Sequence, residues 1–357
     1  MSGILETYRS IYQLDHSFPI VTLHEGSTPL IPAQNLPTFL EKTTGIQDLK
    51  IWFKYEGLNP TGSFKDRGMT YAISQALHEG ASHVICASTG NTSASAAAYA
   101  ARCGLSAIIL IPKGKVALGK LSQAMLYGAN IIEIDGNFDQ ALQIVRELGK
   151  TGRVTVVNSI NPYRILGQQS AAFEIIDALS EAPDYHFIPV GNAGNITAYW
   201  QGYTQYHQHG KSEQRPKMMG YEAEGSAAIA KGQVIEQPET FATAIRIGNP
   251  ASWEGATTAR DESGGVIDWV NDKDIAAAYT YLGNQEGIFC EPASAASVAG
   301  LIKACQEALV AKSSRIVCTL TGNGLKDPDS AIELGHGSKA SLPADTQVIL
   351  EHLKLSE

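Results

Sequence analysis

Cysteine is scarce and unpatterned in this chain. Five occur among 357 residues, Cys86, Cys103, Cys290, Cys305 and Cys318, an odd number that lies mostly in apolar segments, with no C-x-x-C pair and no Cys/His cluster. A disulfide framework and a zinc site are both excluded, and a reducing compartment is expected. Charge of one sign is never concentrated: the formal net charge of -9 is dispersed, and no run of five like charges forms an interaction tail. Nucleic acid is therefore not an expected partner. No window reaches the roughly eighteen apolar residues that a membrane helix needs, so no membrane association is expected. The opening MSGILETYRSIYQLDHSFPI lacks a basic stretch followed by a long apolar one, so no leader is expected and the cytoplasm is the expected location. Neither G-x-G-x-x-G nor G-x-x-x-x-G-K-[ST] is present, which leaves dinucleotide and nucleoside triphosphate sites without support. Low-complexity segments and solenoid repeats are absent too.

What is present is a rhythm. Short apolar runs, IWFKYE (51–56), HVICAS (83–88), SAIILIP (106–112) and NIIEID (130–135), alternate with amphipathic or alanine-rich stretches of helical length. The rhythm resumes with RVTVVN, YHFIPV, KMMGYEA and RIVCTL. Near-continuous apolar strands spaced by helices predict parallel sheets covered on both faces. The length exceeds one ordinary core, so the class is α/β with two open, mostly parallel sheets and two domains, breaking near Asn158. The smaller domain is expected at 45–157 and the larger at 1–44 plus 158–357. Residues 208–216 and the last twenty or so read as loop and tail.

Ligands of open parallel sheets bind beyond the carboxyl ends of the strands. Five such ends are rich in polar and small residues: GLNPTGSFKDRG after 51–56, TGNTSAS after 83–88, SINPYR after 154–158, GNAGN after 185–190 and TGNG after 315–320. One pocket between the domains can collect all five. The turn GNAGN, ahead of a helix, suits a phosphate, because glycines allow close approach and the first helical N–H groups point at an anion; an ordinary tight turn has the same form. Lys65 opens the helix DRGMTYAISQALHEG, where the helix dipole opposes its charge and favours the neutral, nucleophilic amine; a solvated lysine is the plainer account. Ser88, Thr89 and Asn91 offer more hydroxyl and amide groups than one helix cap requires. Thr321 closes a strand where its hydroxyl either meets a ring nitrogen or caps the next turn.

Taken in order, these segments resemble the fold type II pyridoxal-phosphate enzymes. The resemblance runs from about Glu25 to Pro328, and the wording NPTGSFKDRGM, STGNTSASAAAYAA, NSINPYRILGQ, PVGNAGNITAYW, IRIGNPASW and FCEPASAASVAG is similar to the short bacterial threonine synthases within that group. It implies pyridoxal 5'-phosphate in the cleft between a smaller mobile domain, carrying Lys65 and the Asn91 loop, and a larger domain gripping the cofactor phosphate. Lys65 is then the catalytic lysine and the covalent attachment point. Asn91 meets the phenolic oxygen, Gly191, Asn192, Ala193, Gly194 and Asn195 hold the phosphate, and Thr321 meets the ring nitrogen. The implied substrate is O-phospho-L-homoserine, converted with water to L-threonine and phosphate by β,γ-elimination and β-addition. Ser88, Thr89 and Asn91 are expected near its carboxylate, and Asn158, Ser159 and Arg164 at its distal phosphate, where a guanidinium fork suits the ligand. Lys113 and Lys115 are either a weak attracting field or a solvated loop. A serine/threonine dehydratase or β-replacement enzyme of the same fold is the alternative, since it shares every cofactor contact. A homodimer is the association state the resemblance implies.

Overall fold

The computed structural model describes residues 2–114, 118–335 and 337–355, with the side chains of 118–120 and 139 left aside. Its strands are β1 (Leu30–Pro32), β2 (Lys50–Tyr55), β3 (His83–Ala87), β4 (Ser106–Pro112), β5 (Asn130–Ile134), β6 (Thr155–Val156), β7 (Tyr185–Pro189), β8 (Lys217–Ala223), β9 (Val266–Val270) and β10 (Arg315–Leu320). One six-stranded sheet runs β1-β2-β10-β7-β8-β9 and one four-stranded sheet runs β5-β4-β3-β6. All pairings are parallel except β1 against β2, an antiparallel edge with Leu30 opposite Lys54.

Both faces of the larger sheet are covered, which is why its strands are apolar throughout rather than alternating. Side chains still divide by the pleat: Tyr185, Phe187, Ile316, Cys318 and Leu320 enter one core, whereas Ile188, Val190 and Val317 enter the other. The smaller sheet divides likewise, with Val84, Cys86, Ile109 and Ile111 on one side and Ile85, Ala87 and Leu110 on the other.

The expected domain boundary at residue 45 is corrected. Strand β2 belongs to the larger sheet, where Lys50–Tyr55 pairs in register with Arg315–Leu320 of β10. An apolar run specifies a strand but not its partner, and this partner lies at the far end of the chain. The smaller unit therefore starts after β2. The expected strand RVTVVN shrinks to the two residues of β6, and the expected tail contains a helix at Thr346–His352. Among the described residues no helix is long and apolar enough to cross a membrane.

Two helices join the halves: α1 (Lys65–His78), which follows β2, and α2 (Asn91–Cys103), which follows β3, lie over the smaller sheet, and α1 crosses α3 (Pro162–Leu179). That crossing is a backbone contact. A Cβ at Gly167 would lie 2.1 Å from the Arg67 carbonyl oxygen, and one at Gly68 would lie 2.6 Å from the Arg164 carbonyl oxygen. Gly167→Ala is expected to destabilise the chain, because forcing these helices apart carries an overpacking cost of roughly 1–3 kcal/mol, more than the ~1 kcal/mol alanine gains over glycine in a helix. Urea unfolding should show a lower midpoint at an unchanged slope. An unchanged midpoint would mean that the crossing yields freely.

Candidate active site

The sheet order explains why the strand ends meet. Strands β2, β10 and β7 are neighbours, so the segments that follow them, 56–64, 321–324 and 191–195, emerge side by side. Strands β3 and β6 are also neighbours, which brings 88–91 beside 157–161. Direct contacts then tie the groups together. Phe64 N–H donates to the Thr321 carbonyl at 3.0 Å, Ser63 bridges Gly322, and Asn192 Nδ2 donates to Ser159 Oγ at 2.5 Å.

Lys65 is the first residue of α1. Its half-buried amine is driven from the ordinary lysine range to about 7, chiefly by burial and further by the Arg164 guanidinium, with Glu291 opposing. The flanking residues are anchors. Asp66 accepts from Thr61 N at 2.7 Å, Thr61 Oγ1 at 2.6 Å and Ser95 Oγ at 2.6 Å, and burial still pushes its carboxyl up to about 6. Arg67 is fully buried and donates to both oxygens of Glu56, at 2.6 and 2.9 Å, and both of Glu174, at 2.7 and 2.7 Å. Lys54 Nζ adds a 2.6 Å contact to Glu174. Two cations thus face two anions, which is what allows such charges to stay buried. Burial pushes Glu174 upward, but Arg67 and Lys54 outweigh it and hold the carboxyl at about 2. The two side chains that follow Lys65 are therefore locked in structure, while its own amine is left for chemistry.

The turn after β7 has the geometry of an anion cradle. Ala193 is held at φ 64, in the left-handed region that disfavours a side chain, and opens α4 (Gly194–Gln208). The first N–H groups of α4 have no acceptor within the helix and face out of its amino end. Asn195 is 7% exposed, yet both polar atoms of its side chain lack a protein partner. A Cβ on Gly191 would lie 2.9 Å from Ile245 Cα, so the turn packs closely on the segment behind it. Asn192 is clamped by Ser159 on one side and Ala251 N–H, at 2.7 Å, on the other.

Arg164 lies on the first turn of α3, 1% exposed. It spends Nη1 on the Val157 carbonyl at 2.8 Å, whereas Nε and Nη2 have no partner. Burial lowers it only to about 10, so it remains a cation at neutral pH. A buried guanidinium with two open donors is costly unless an anion completes it.

The remaining expected residues divide. Asn91 begins α2 and directs its amide into the cleft, at 2.9 and 3.2 Å from the Glu291 carboxylate. Thr321 Oγ1 is 3.1 Å from Glu291 and 3.0 Å from Ser294 Oγ. Ser88 Oγ accepts from Gly90 N and Ser93 N, both at 3.3 Å, so it caps α2, with Thr89 half-buried at the tip of the turn. Asn158 differs most from expectation: its amide accepts from Ala87 N at 3.0 Å and donates to Ala87 O at 2.9 Å. Those bonds extend the β3–β6 ladder, so Asn158 holds the Asn91 loop in place and keeps one amide hydrogen beyond its bond to Ala87. Lys113 is exposed in a 3.6 Å pair with Asp135, and Lys115 lies outside the described residues. Among the described residues no cluster suits a metal ion. Glu291 and Ser294 escaped the sequence reading; the only signal was an acid directly ahead of the small-residue helix PASAASVAG.

Lysine, phosphate cradle and ring-edge donors together fit pyridoxal phosphate, and comparison with known proteins agrees. The description "Pyridoxal-phosphate dependent enzyme" matches residues 21–322. Threonine synthase from Halalkalibacterium halodurans is 56% identical over 99% of this chain and 97% of its own length. That from Synechocystis is 57% identical over 97% and 89%, and that from Methanocaldococcus jannaschii 48% over 94% and 83%. This chain belongs to the threonine synthases, within the pyridoxal-phosphate-dependent enzymes. Solved structures share the fold. Processed threonine deaminase isoform 2 from Solanum lycopersicum superposes with a TM-score of 0.74 at 22% identity, over 93% of this chain and 92% of that one. Cysteine synthase from Entamoeba histolytica gives 0.73 at 19%, over 93% and 94%. As in those threonine synthases, the expected cofactor is pyridoxal phosphate, and the fold expected from the strand rhythm is the one found.

Proposed function

We propose that the site converts O-phospho-L-homoserine and water to L-threonine and phosphate, as a pyridoxal-phosphate-dependent lyase. The observation that carries the substrate is Arg164, a buried guanidinium with two open donors whose charge acts on the Lys65 amine. Bound pyridoxal phosphate supplies an electron sink for charge developing at the substrate α carbon. Residues 191–195, the Asn195 side chain among them, would hold its phosphate, Asn91 its phenolic oxygen and Thr321 its ring nitrogen. The chain's own acid–base group is Lys65. With an amine near pH 7 it is poised to take the α proton and to return it. Arg164 and Ser159 would fix the distal phosphate and steady it as it leaves Cγ. The Ser88–Asn91 turn, held by Asn158, would receive the substrate carboxylate. The smaller domain would close over the cleft and exclude water until the addition at Cβ. We place the reaction in the cytoplasm and expect a homodimer, which sedimentation will test.

A dehydratase or β-replacement enzyme needs no distal anion site, and Arg164 would then be a buried charge without purpose. The deciding assay follows phosphate release and threonine formation from O-phosphohomoserine, with and without added pyridoxal phosphate, against deamination of serine. Stoichiometric phosphate and threonine are expected, with serine turned over far more slowly. Preferred serine deamination would reverse the assignment.

A further inference from the structure

Glu291 is 4% exposed and occupies the N-cap position of α5 (Pro292–Gln306), yet its side chain makes no capping bond. An acid at that position ordinarily turns back onto the first N–H groups of its own helix. Here the carboxylate turns the other way and accepts from Asn91 Nδ2 and Thr321 Oγ1. Those two donors come from different sheets, one from the start of α2 and the other from the end of β10. The backbone at 291 is fixed as well, with Glu291 N–H donating to the Gly322 carbonyl at 2.9 Å. Glycine at 322 is required by the same arrangement, since a Cβ there would lie 2.5 Å from the Glu291 carboxyl carbon.

Resting on the reading of this cleft as the pyridoxal-phosphate site, we infer that Glu291 is a positioning residue, a buried carboxylate that aims Asn91 and Thr321 at the cofactor ring from behind and sets the charge around Lys65. Asn91 retains a second amide hydrogen for the phenolic oxygen. Thr321 Oγ1 is held between Glu291 at 3.1 Å and Ser294 Oγ at 3.0 Å. Glu291 is more buried than Asn91 and Lys65. The titratable groups facing Glu291 are Lys65 from α1, Lys326 from the turn after β10, and Tyr55 and Cys290. Those facing Lys65 are Arg164 of α3, which lowers its amine, and Glu291, which raises it, while burial pushes the Glu291 carboxyl up against Asn91, Thr321, Lys326 and Lys65.

The test compares wild type with Glu291→Gln and Glu291→Asp, the first keeping size without charge and the second keeping charge on a shorter arm. Cofactor dissociation from each holoenzyme is followed by its visible absorbance. Labelling of the Lys65 amine by an acylating reagent is then read against pH by mass spectrometry after the cofactor is stripped. Gln should lower the Lys65 labelling midpoint by about one pH unit through loss of the nearby anion, while Asp leaves it near the wild-type value. Both variants should bind pyridoxal phosphate about tenfold more weakly, the loss of one or two well-aimed hydrogen bonds. Equal midpoints in Gln and wild type, equal shifts in Gln and Asp, or unchanged cofactor binding in both would each overturn the inference. Because the labelling uses no substrate, failure here is distinct from failure of the threonine synthase assignment, which the phosphate-release assay reads.

Discussion

Lys65→Ala should abolish turnover and remove the visible absorbance of the bound cofactor. The amine at 65 is the group left unspent ahead of Asp66 and Arg67, both of which are consumed in buried bonds, and burial brings it to about 7. A second lysine stands close by. Lys326 Nζ would come within 3.8 Å of a Cβ placed on Gly62, but that amine bonds Gln123 Oε1. The expected residual activity is below about a thousandth of wild type, the scale of losing a covalent and proton-transferring group. Lys326→Ala serves as the contrast and should keep the absorbance band. Activity of Lys65→Ala above that level, or a band lost only in Lys326→Ala, would remove Lys65 from its role.

Arg164→Ala should separate phosphate-bearing from phosphate-free substrates. Truncating a buried charge that pairs with a ligand anion costs about 2–5 kcal/mol in productive binding. The loss is expected in kcat/KM for O-phosphohomoserine, with the cofactor band intact and serine or threonine deamination changed much less. A second readout follows from the Lys65 environment. Arg164 helps to hold the Lys65 amine down, so its removal should let the amine rise, and the acidic limb of the deamination rate should move to higher pH. Equal losses on both kinds of substrate would make Arg164 scaffolding that carries Val157. No loss on either would return the dehydratase reading. Urea midpoints for the variant distinguish these outcomes from partial unfolding, since Arg164 also bonds the Val157 carbonyl.

How much of this was legible beforehand depends on the distance over which each interaction acts. Local chemistry was readable. The strand-to-helix turns bearing Lys65, Asn91, Gly194 and Thr321 are written in consecutive residues, and an amine at a helix start or glycines ahead of a helix carry their physical meaning wherever they fold. The α/β class was readable from the same local rhythm. The partner of a strand was not, because the period of an apolar run specifies its conformation and leaves its neighbour open. Thus β2, expected in the smaller unit, pairs with β10 instead.

The same limit explains the side chains. Asn158 is expected as a ligand donor because an amide beside a hydroxyl and an arginine suits phosphate, and only the structure shows that it also bonds both backbone groups of Ala87 across the sheet. Arg67 is the centre of a four-charge network drawn from β2, the turn after it, α1 and α3, which no local pattern announces. Glu291 gave almost no local sign, since its meaning comes from Asn91 and Thr321, which reach it from two different sheets. The sequence by itself determined the cofactor chemistry and the α/β class, because those reside in short contiguous segments. Only the tertiary structure decided which polar groups remain open to a ligand, because a buried donor is free or spent according to residues far along the chain that packing brings within 3 Å.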